Sequence, residues 1–343
     1  MSQAGASLGG SSPGAQRAPG GGARGRDLVR LARPKQWAKG AFVIVGPVYG
    51  MALETLSQAL AVAAAFVAFG LASSACYVVN DIVDRDRDRN HPRKRRRPIA
   101  SGAVTVAVAR ALAVGLGLAA VAAVGVAVWA GPRLRPDLAW IGGMPAGVLL
   151  GAVVGVYAVN TLVYSVLFKN MVIVDVLSLA LGFVLRVVGG CAALLVDPSS
   201  WLLNVTLFLS MFLAFGKRLG ERRALGSEQA GDARSVQARY TDELLRMMVG
   251  VTAVACLLTY CAYVVQRAEV YTHGINWLWL TVIPATYGLL RAMLLVETGE
   301  YDDPTEIAAG DRPFQLAALL FAALTLGLLW WFGAGEDPAA GGL

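Results

Sequence analysis

Nine runs of apolar residues constrain this chain more than anything else in it. They fall at 38–53, 58–80, 104–130, 144–166, 172–195, 200–216, 244–265, 275–296 and 313–333. A helix of about 20 apolar residues crosses a hydrocarbon core of about 30 Å and satisfies its own backbone polar groups there. The pattern therefore predicts an all-α integral membrane protein with nine spanning helices, of which the first and sixth are short. Only 15% of the 343 residues are charged, against about 25% in a soluble domain. Residues 1–26, rich in Gly, Ser, Ala and Pro, read as a disordered tail without the apolar core of a signal peptide. The membrane domain is expected over 27–333, with a short C-terminal tail at 334–343.

Lys and Arg fix the orientation. The N-terminus and the loops after runs two, four, six and eight hold nearly all the positive charge, and the opposite loops offer only Arg133, Arg135 and Arg267. By the positive-inside rule the basic side is cytoplasmic, so the N-terminus lies there in the plasma membrane and the C-terminus outside. The net charge of +7 gathers in clusters flanking apolar runs. That distribution serves orientation and site chemistry, and it excludes a nucleic-acid groove. Four cysteines in or near apolar runs lack metal-ligand spacing and read as small core residues.

Chemistry concentrates in Asn80–Gly102, NDIVDRDRDRNHPRKRRRPIASG, which carries four aspartates and eight Lys/Arg. Asp81, Asp84 and Asp88 fall at i, i+3 and i+7, one face of a continuing helix. Carboxylates gathered so repel one another unless a cation sits among them, and Mg²⁺ held by carboxylates plus substrate phosphates is the usual answer. Asn80 adds a further oxygen donor. The basic run Arg93–Arg97 suits an anionic partner, although Asp–Arg neutralisation in a solvated loop would also account for part of it. The loop after the sixth run, FGKRLGERRALG, places Lys217 and Glu221 at i and i+4, beside Arg218 and Arg222. It faces the same side as the Asp-rich stretch, and Arg239 and Tyr240 precede the seventh run. Ionisable residues within spans are costly and mark function or an ion pair: Asp175 and Arg186 in the fifth run, Arg291 in the eighth, and Asp311, Arg312 and Gln315 opening the ninth.

N-D-x-x-D-x-x-x-D, met by Asn80, Asp81, Asp84 and Asp88, resembles the first signature motif of the UbiA superfamily of intramembrane prenyltransferases. The resemblance covers Arg30 to Phe332 and implies a nine-helix bundle with cytoplasmic cap loops and a central cavity open to lipid. Most members carry a second D-x-x-x-D motif after the sixth helix. Here Lys217, Arg218 and Glu221 stand instead, and Asp232 and Asp242 lack the spacing. In finer detail the chain is similar to the polyprenyl-phosphate phosphoribosyltransferase branch, through RPKQW-x-K (Arg33–Lys39), NHPRKRRRPIASG, GFVLRVVGG around Arg186, GKR-x-x-E (Gly216–Glu221) and DR-x-x-Q (Asp311–Gln315).

That likeness implies transfer of 5-phosphoribose from phosphoribosyl diphosphate (PRPP) to a polyprenyl (decaprenyl) phosphate, in synthesis of the arabinose donor for arabinogalactan. On this reading Asp81, Asp84, Asp88 and Lys217 are catalytic, and Asn80 with the three aspartates holds Mg²⁺. Lys35, Gln36, Lys39, Lys94, Arg95, Arg97, Asp175, Arg186, Arg218, Glu221, Arg239, Tyr240, Arg291 and Arg312 are candidates for binding substrate. The partners are PRPP, the lipid phosphate and the bilayer, and a homo-oligomer is compatible with the family but demanded by no residue. The nucleophile is already an anion, so no strong base is needed, and no Ser-His-Asp or Cys-His set is present. Two other readings compete. A conventional prenyltransferase predicts a second carboxylate pair, which is missing. A transporter predicts inverted repeats and midplane acids, whereas the charges here collect at one face.

Overall fold

The computed structural model describes residues 25–90, 94–131, 146–225, 239–300 and 304–333. Outside them lie most of the expected N-terminal tail, the C-terminal tail, His91 to Arg93, Arg133, Arg135, Asp232 and most of the loop after the sixth run. The helices are α1 (Gly25–Ala32), α2 (Ala41–Tyr49), α3 (Leu56–Val83), α4 (Arg85–Arg89), α5 (Val106–Ala130), α6 (Ala146–Val166) and α7 (Val174–Leu194). They continue with α8 (Ser200–Leu225), α9 (Asp242–Gln266), α10 (Ala268–Tyr271), α11 (Val282–Thr298), α12 (Pro304–Gly310) and α13 (Arg312–Gly333). A two-residue antiparallel pair, β1 (Thr272–His273) with β2 (Ile275–Asn276), is the only sheet among the described residues.

Among these residues eight helices are long and apolar enough to cross a membrane, and the chain is a multi-pass all-α membrane bundle. The helix starts follow local chemistry. Thr55 caps α3 in a reciprocal box with Gln58, and Thr105 and Thr241 cap α5 and α9. The sixth run, expected to be short, belongs to a 26-residue helix of about 39 Å. Its charged end, Lys217 to Arg223, extends the helix rather than opening a loop.

The first run differs most from expectation. Pro34–Gly40 is wound as 3₁₀ turns, and only nine residues, Ala41–Tyr49, are α-helical. At about 2 Å and 1.5 Å of rise per residue the two stretches together reach about 27 Å. Trp37 Nε1 donates to Ser74 Oγ (3.0 Å) near one end, and Tyr49 meets the Tyr263 ring (5.5 Å between centroids) near the other. Packing there depends on glycine. A Cβ on Gly190 of α7 would lie 1.8 Å from the Val43 carbonyl oxygen, and one on Gly189 would lie 2.3 Å from the Phe69 ring. Small residues that let backbones touch are how helices associate in lipid, where apolar burial drives little.

One core joins α2, α3, α5, α6 and α7, with Ala61, Ala65, Phe69, Leu150 and Tyr157 buried in it; a second joins α7, α8, α9 and α11 around Phe212, Phe215 and Leu245. Lipid-facing side chains such as Val114, Leu118 and Val121 on α5 are exposed in turn. Trp129, Trp277, Trp279, Trp330 and Trp331 are exposed at the ends of α5, α11 and α13, as in an interfacial belt. The other end of the bundle is laced with ion pairs. Lys169 meets Asp84, Arg218 meets Asp175, Arg222 meets Asp242, Arg223 and Arg246 meet Glu297, and Arg291 meets Asp311. The Asp-rich stretch and the charged end of α8 thus share one end, as the charge pattern predicts.

Candidate active site

At that charged end a cavity of about 240 Å³ opens between α3, α4, α6 and α7. The end of α3 presents Tyr77, Asn80 and Asp84 to it, and α4 presents Arg87 and Asp88. The two helices are nearly continuous, since Asp84 caps α3 and its carbonyl accepts the Asp88 N–H (2.8 Å). The helical spacing of the aspartates is therefore real, but the three carboxylates have different surroundings. Asp81 is 3% exposed and lies off the cavity wall, accepting from Arg33 Nη2 (2.6 Å) and Arg97 Nη1 (3.0 Å). Asp88 shares the same Arg97 nitrogen (2.7 Å). Asp84 faces the cavity and holds Lys169 Nζ at 2.9 and 3.2 Å.

Seven cationic side chains line the cavity (Arg33, Lys39, Arg87, Lys94, Arg97, Lys169, Arg186) against two carboxylates, Asp84 and Asp88. Such an excess suits a ligand with several negative charges. Between the charges, α6 and α7 contribute Tyr157, Asn160, Thr161, Tyr164, Ser165 and Ser178. At the floor Arg186 donates to the Gly182 carbonyl (2.7 Å) and the Tyr157 hydroxyl (2.7 Å), and lies over the Tyr157 ring (4.5 Å). It forms no ion pair among the described residues. Burying an ion costs several kcal/mol, which two charge-assisted hydrogen bonds of about 1.5–3 kcal/mol each and a cation–π contact offset.

A second polar cluster sits behind the Tyr164 wall. Arg218, 2% exposed, donates from Nε to Asp175 Oδ2 (3.1 Å), from Nη1 to Glu221 (3.2 Å) and from Nη2 to Tyr164 Oη (3.5 Å). Tyr240 donates to Asp175 Oδ1 (2.8 Å) and accepts the Ile173 N–H (2.7 Å). Burial, and then the Asp175 charge, push the Tyr240 phenol above its ordinary range, so it stays a protonated donor. The bond steadies Ile173, whose φ of 69° is strained for a β-branched residue.

Of the residues the sequence points to, Lys39, Asn80, Asp84, Asp88, Lys94, Arg97 and Arg186 come together in the cavity. Asp175, Arg218, Glu221 and Tyr240 form the cluster behind it. Lys35 and Gln36 lie on the α1 side, lining a separate surface hollow. Arg95, Lys217, Arg239 and Arg312 are exposed outside the cavity lining. Arg291 pairs with Asp311 between α11 and α13 (2.8 Å), where the hydrogen bond from Arg291 holds the Asp311 carboxyl below the usual range. The α6 residues are new to the site. Their signal was present in the sequence: Tyr157, Thr161, Tyr164 and Ser165 fall at i, i+4, i+7 and i+8, a polar stripe within an apolar run. Arg33, which opens the RPKQW-x-K stretch, and Lys169 are not among the candidate site residues of the sequence and also line the cavity.

Among the described residues no three His, Cys, Asp or Glu side chains are grouped to hold a metal. Two carboxylates and Asn80 on one wall fit instead a hard cation that completes its shell with phosphate oxygens and water, as Mg²⁺ does.

A multi-pass helical bundle with a cation-rich cavity at one end suits substrates that carry several phosphate charges. Residues 41–319 match the UbiA prenyltransferase family, and the chain belongs to it. It is closely related to decaprenyl-phosphate phosphoribosyltransferases. That of Corynebacterium glutamicum is 33% identical over 295 residues, 85% of this chain and 83% of the relative. That of Mycobacterium tuberculosis H37Rv is 33% identical over 314 residues, 89% and 95% of the two chains. A UbiA homologue from Archaeoglobus fulgidus bound to GPP and Mg²⁺ has the same fold, with a TM-score of 0.62 at 15% identity, over 89% of this chain and 99% of that one.

Proposed function

We propose that this protein transfers 5-phosphoribose from PRPP to a polyprenyl (decaprenyl) phosphate and releases diphosphate. The observation that carries the reading is the cavity's charge, seven cations against two carboxylates, with Arg218 and Lys217 where a second aspartate pair would otherwise stand. A lipid phosphate oxygen attacks the anomeric carbon of the ribose. The bond from that carbon to the diphosphate oxygen breaks, and the diphosphate departs with the electron pair. No proton moves, because the attacking phosphate oxygen is already an anion.

Asp84, Asp88 and Asn80 hold Mg²⁺, which when bound supplies Lewis-acid stabilisation of the leaving diphosphate. Lys169, oriented by Asp84, and Arg97, oriented by Asp88, take phosphate oxygens, Arg as a fork and Lys as a point charge. Lys39 and Lys94 extend that basic rim. Asn160, Thr161 and Ser165 are placed to hydrogen-bond ribose hydroxyls and fix the in-line approach. The transferase unit runs over 27–333 between two tails. Pro34–Tyr49 makes a ninth crossing, and the charged end faces the cytoplasm in the plasma membrane, with the N-terminus on that side. The lipid chain leaves the cavity toward the bilayer.

The test is a donor swap on purified protein with Mg²⁺: radiolabelled PRPP with polyprenyl phosphate, beside prenyl diphosphate with an aromatic acceptor. A labelled lipid in the first tube that EDTA abolishes is the expected result. Product only in the second would make the protein a conventional prenyltransferase.

A further inference from the structure

We propose that the floor of the cavity is a distinct phosphomonoester subsite built on Arg186 and Tyr157, separate from the diphosphate site at the mouth. The inference rests on the phosphoribosyl-transfer reading only for the two molecules that could supply the phosphate.

The cations of the cavity fall into two tiers. At the mouth Lys169 and Arg97 each hold a carboxylate, at 2.9 and 2.7 Å. At the floor Arg186, 6% exposed, has only neutral neighbours, namely the Gly182 carbonyl, the Tyr157 hydroxyl and the Tyr157 and Phe183 rings. It stands eleven residues past Asp175 on α7, about 16 Å along the helix axis. Two of its five guanidinium N–H groups are committed, and the others have no partner among the described residues. A buried, uncompensated cation lining a cavity within the membrane marks a place where an anion arrives.

The band between the tiers is neutral and polar. Asn160 Nδ2 donates to the Ser178 carbonyl (2.9 Å) and Ser178 Oγ donates to Asn160 Oδ1 (2.9 Å), with Thr161 one residue on. Positive, neutral and positive in sequence match a ligand that is anionic at both ends with hydroxyls between, a sugar carrying diphosphate at one end and phosphomonoester at the other. A lipid monophosphate reaching the floor would satisfy Arg186 by the same chemistry.

Binding to the intact protein in detergent decides between these, independently of turnover. The probes are ribose 5-phosphate, a short polyprenyl monophosphate and inorganic diphosphate, titrated by calorimetry against wild type, Arg186→Met, Arg186→Lys and Tyr157→Phe. Arg186→Met is expected to weaken one monophosphate by about tenfold or more while leaving diphosphate binding within about twofold. Loss confined to ribose 5-phosphate assigns the floor to the sugar; loss confined to the polyprenyl probe assigns it to the lipid. If Arg186→Met does not fold, Arg186→Lys and Tyr157→Phe carry the test, each with a partial and selective loss. Unchanged monophosphate binding in folded variants, or parallel loss of diphosphate, overturns the subsite. A wild type that binds neither monophosphate does the same. Failure of the donor swap with selective monophosphate binding intact would refute the reaction and leave the floor site standing.

Discussion

Asp81 and Asp84 belong to one sequence motif but are held differently, and exchanging each for asparagine should separate stability from chemistry. Asp81 is 3% exposed and accepts from two guanidiniums, at 2.6 and 3.0 Å. Asp81→Asn leaves Arg33 and Arg97, each 27% exposed, facing a neutral amide in place of two charge-assisted hydrogen bonds of about 1.5–3 kcal/mol each, with Arg97 still held by Asp88. Asp84 is 20% exposed and pairs with a Lys169 that is 17% exposed; this single partly buried partner can still donate to the amide oxygen of Asn, so the expected cost is about 1 kcal/mol. Asp84→Asn should therefore unfold in detergent within a few degrees of wild type. Its turnover should fall by about 10²–10³, the loss expected when one preorganised charge at a developing leaving group is removed. The loss should appear in kcat, because Lys169, released from its carboxylate, still binds PRPP in the ground state. Half-maximal activity should also need more Mg²⁺. The assay is radiolabelled phosphoribosyl transfer across a Mg²⁺ series, run beside thermal unfolding of the same preparations. Asp84→Asn with activity near wild type, or with a stability loss equal to that of Asp81→Asn, would refute the division of labour.

Three further outcomes follow from the packing and the charges. Gly190→Ala puts a Cβ 1.8 Å from the Val43 carbonyl oxygen, so α2 must separate from α7; a loss at or above the usual 1–3 kcal/mol of overpacking should appear as a lower unfolding midpoint, and an unchanged midpoint would contradict the contact. Tyr240→Phe removes the acceptor of the Ile173 N–H and a donor to Asp175, at an expected cost of about 1–3 kcal/mol, measured by thermal unfolding. Asp311, held below its usual range by Arg291, contributes stability that is present above its unfolded value of about 3.9 and is lost as pH falls through the lower folded value. Wild type should thus converge on Asp311→Asn in unfolding scans below about pH 4, and a constant gap down to pH 3 would exclude the linkage.

The apolar runs determined the membrane bundle, because a segment of that length and polarity has one way to satisfy its backbone in lipid. Six of the nine predicted runs agree closely with helices; the sixth fails only in length, since its apolar stretch ends before its helix does, and the eighth opens as a short strand and 3₁₀ turns before α11 starts at Val282. The first run is legible as apolar but not as 3₁₀ turns followed by a nine-residue helix. That segment packs against Ser74, Cys191 and Val196, on elements far away in the chain that its own sequence does not show.

At the site, spacing alone put Asp81, Asp84 and Asp88 on one helical face, and Asn80, Arg97 and Arg186 were visible as polar or charged groups that serve either a site or an ion pair. Only the tertiary structure decided which of them share a cavity. Helical periodicity fixes the angle of a side chain about its own axis but not which neighbour lies there. Arg97 therefore turned out to bridge Asp81 and Asp88, Lys169 arrived from 85 residues away to meet Asp84, and Arg218 was drawn behind the wall onto Asp175. Ion pairs between distant elements depend on helix packing, and packing in this bundle depends on where glycines let backbones touch.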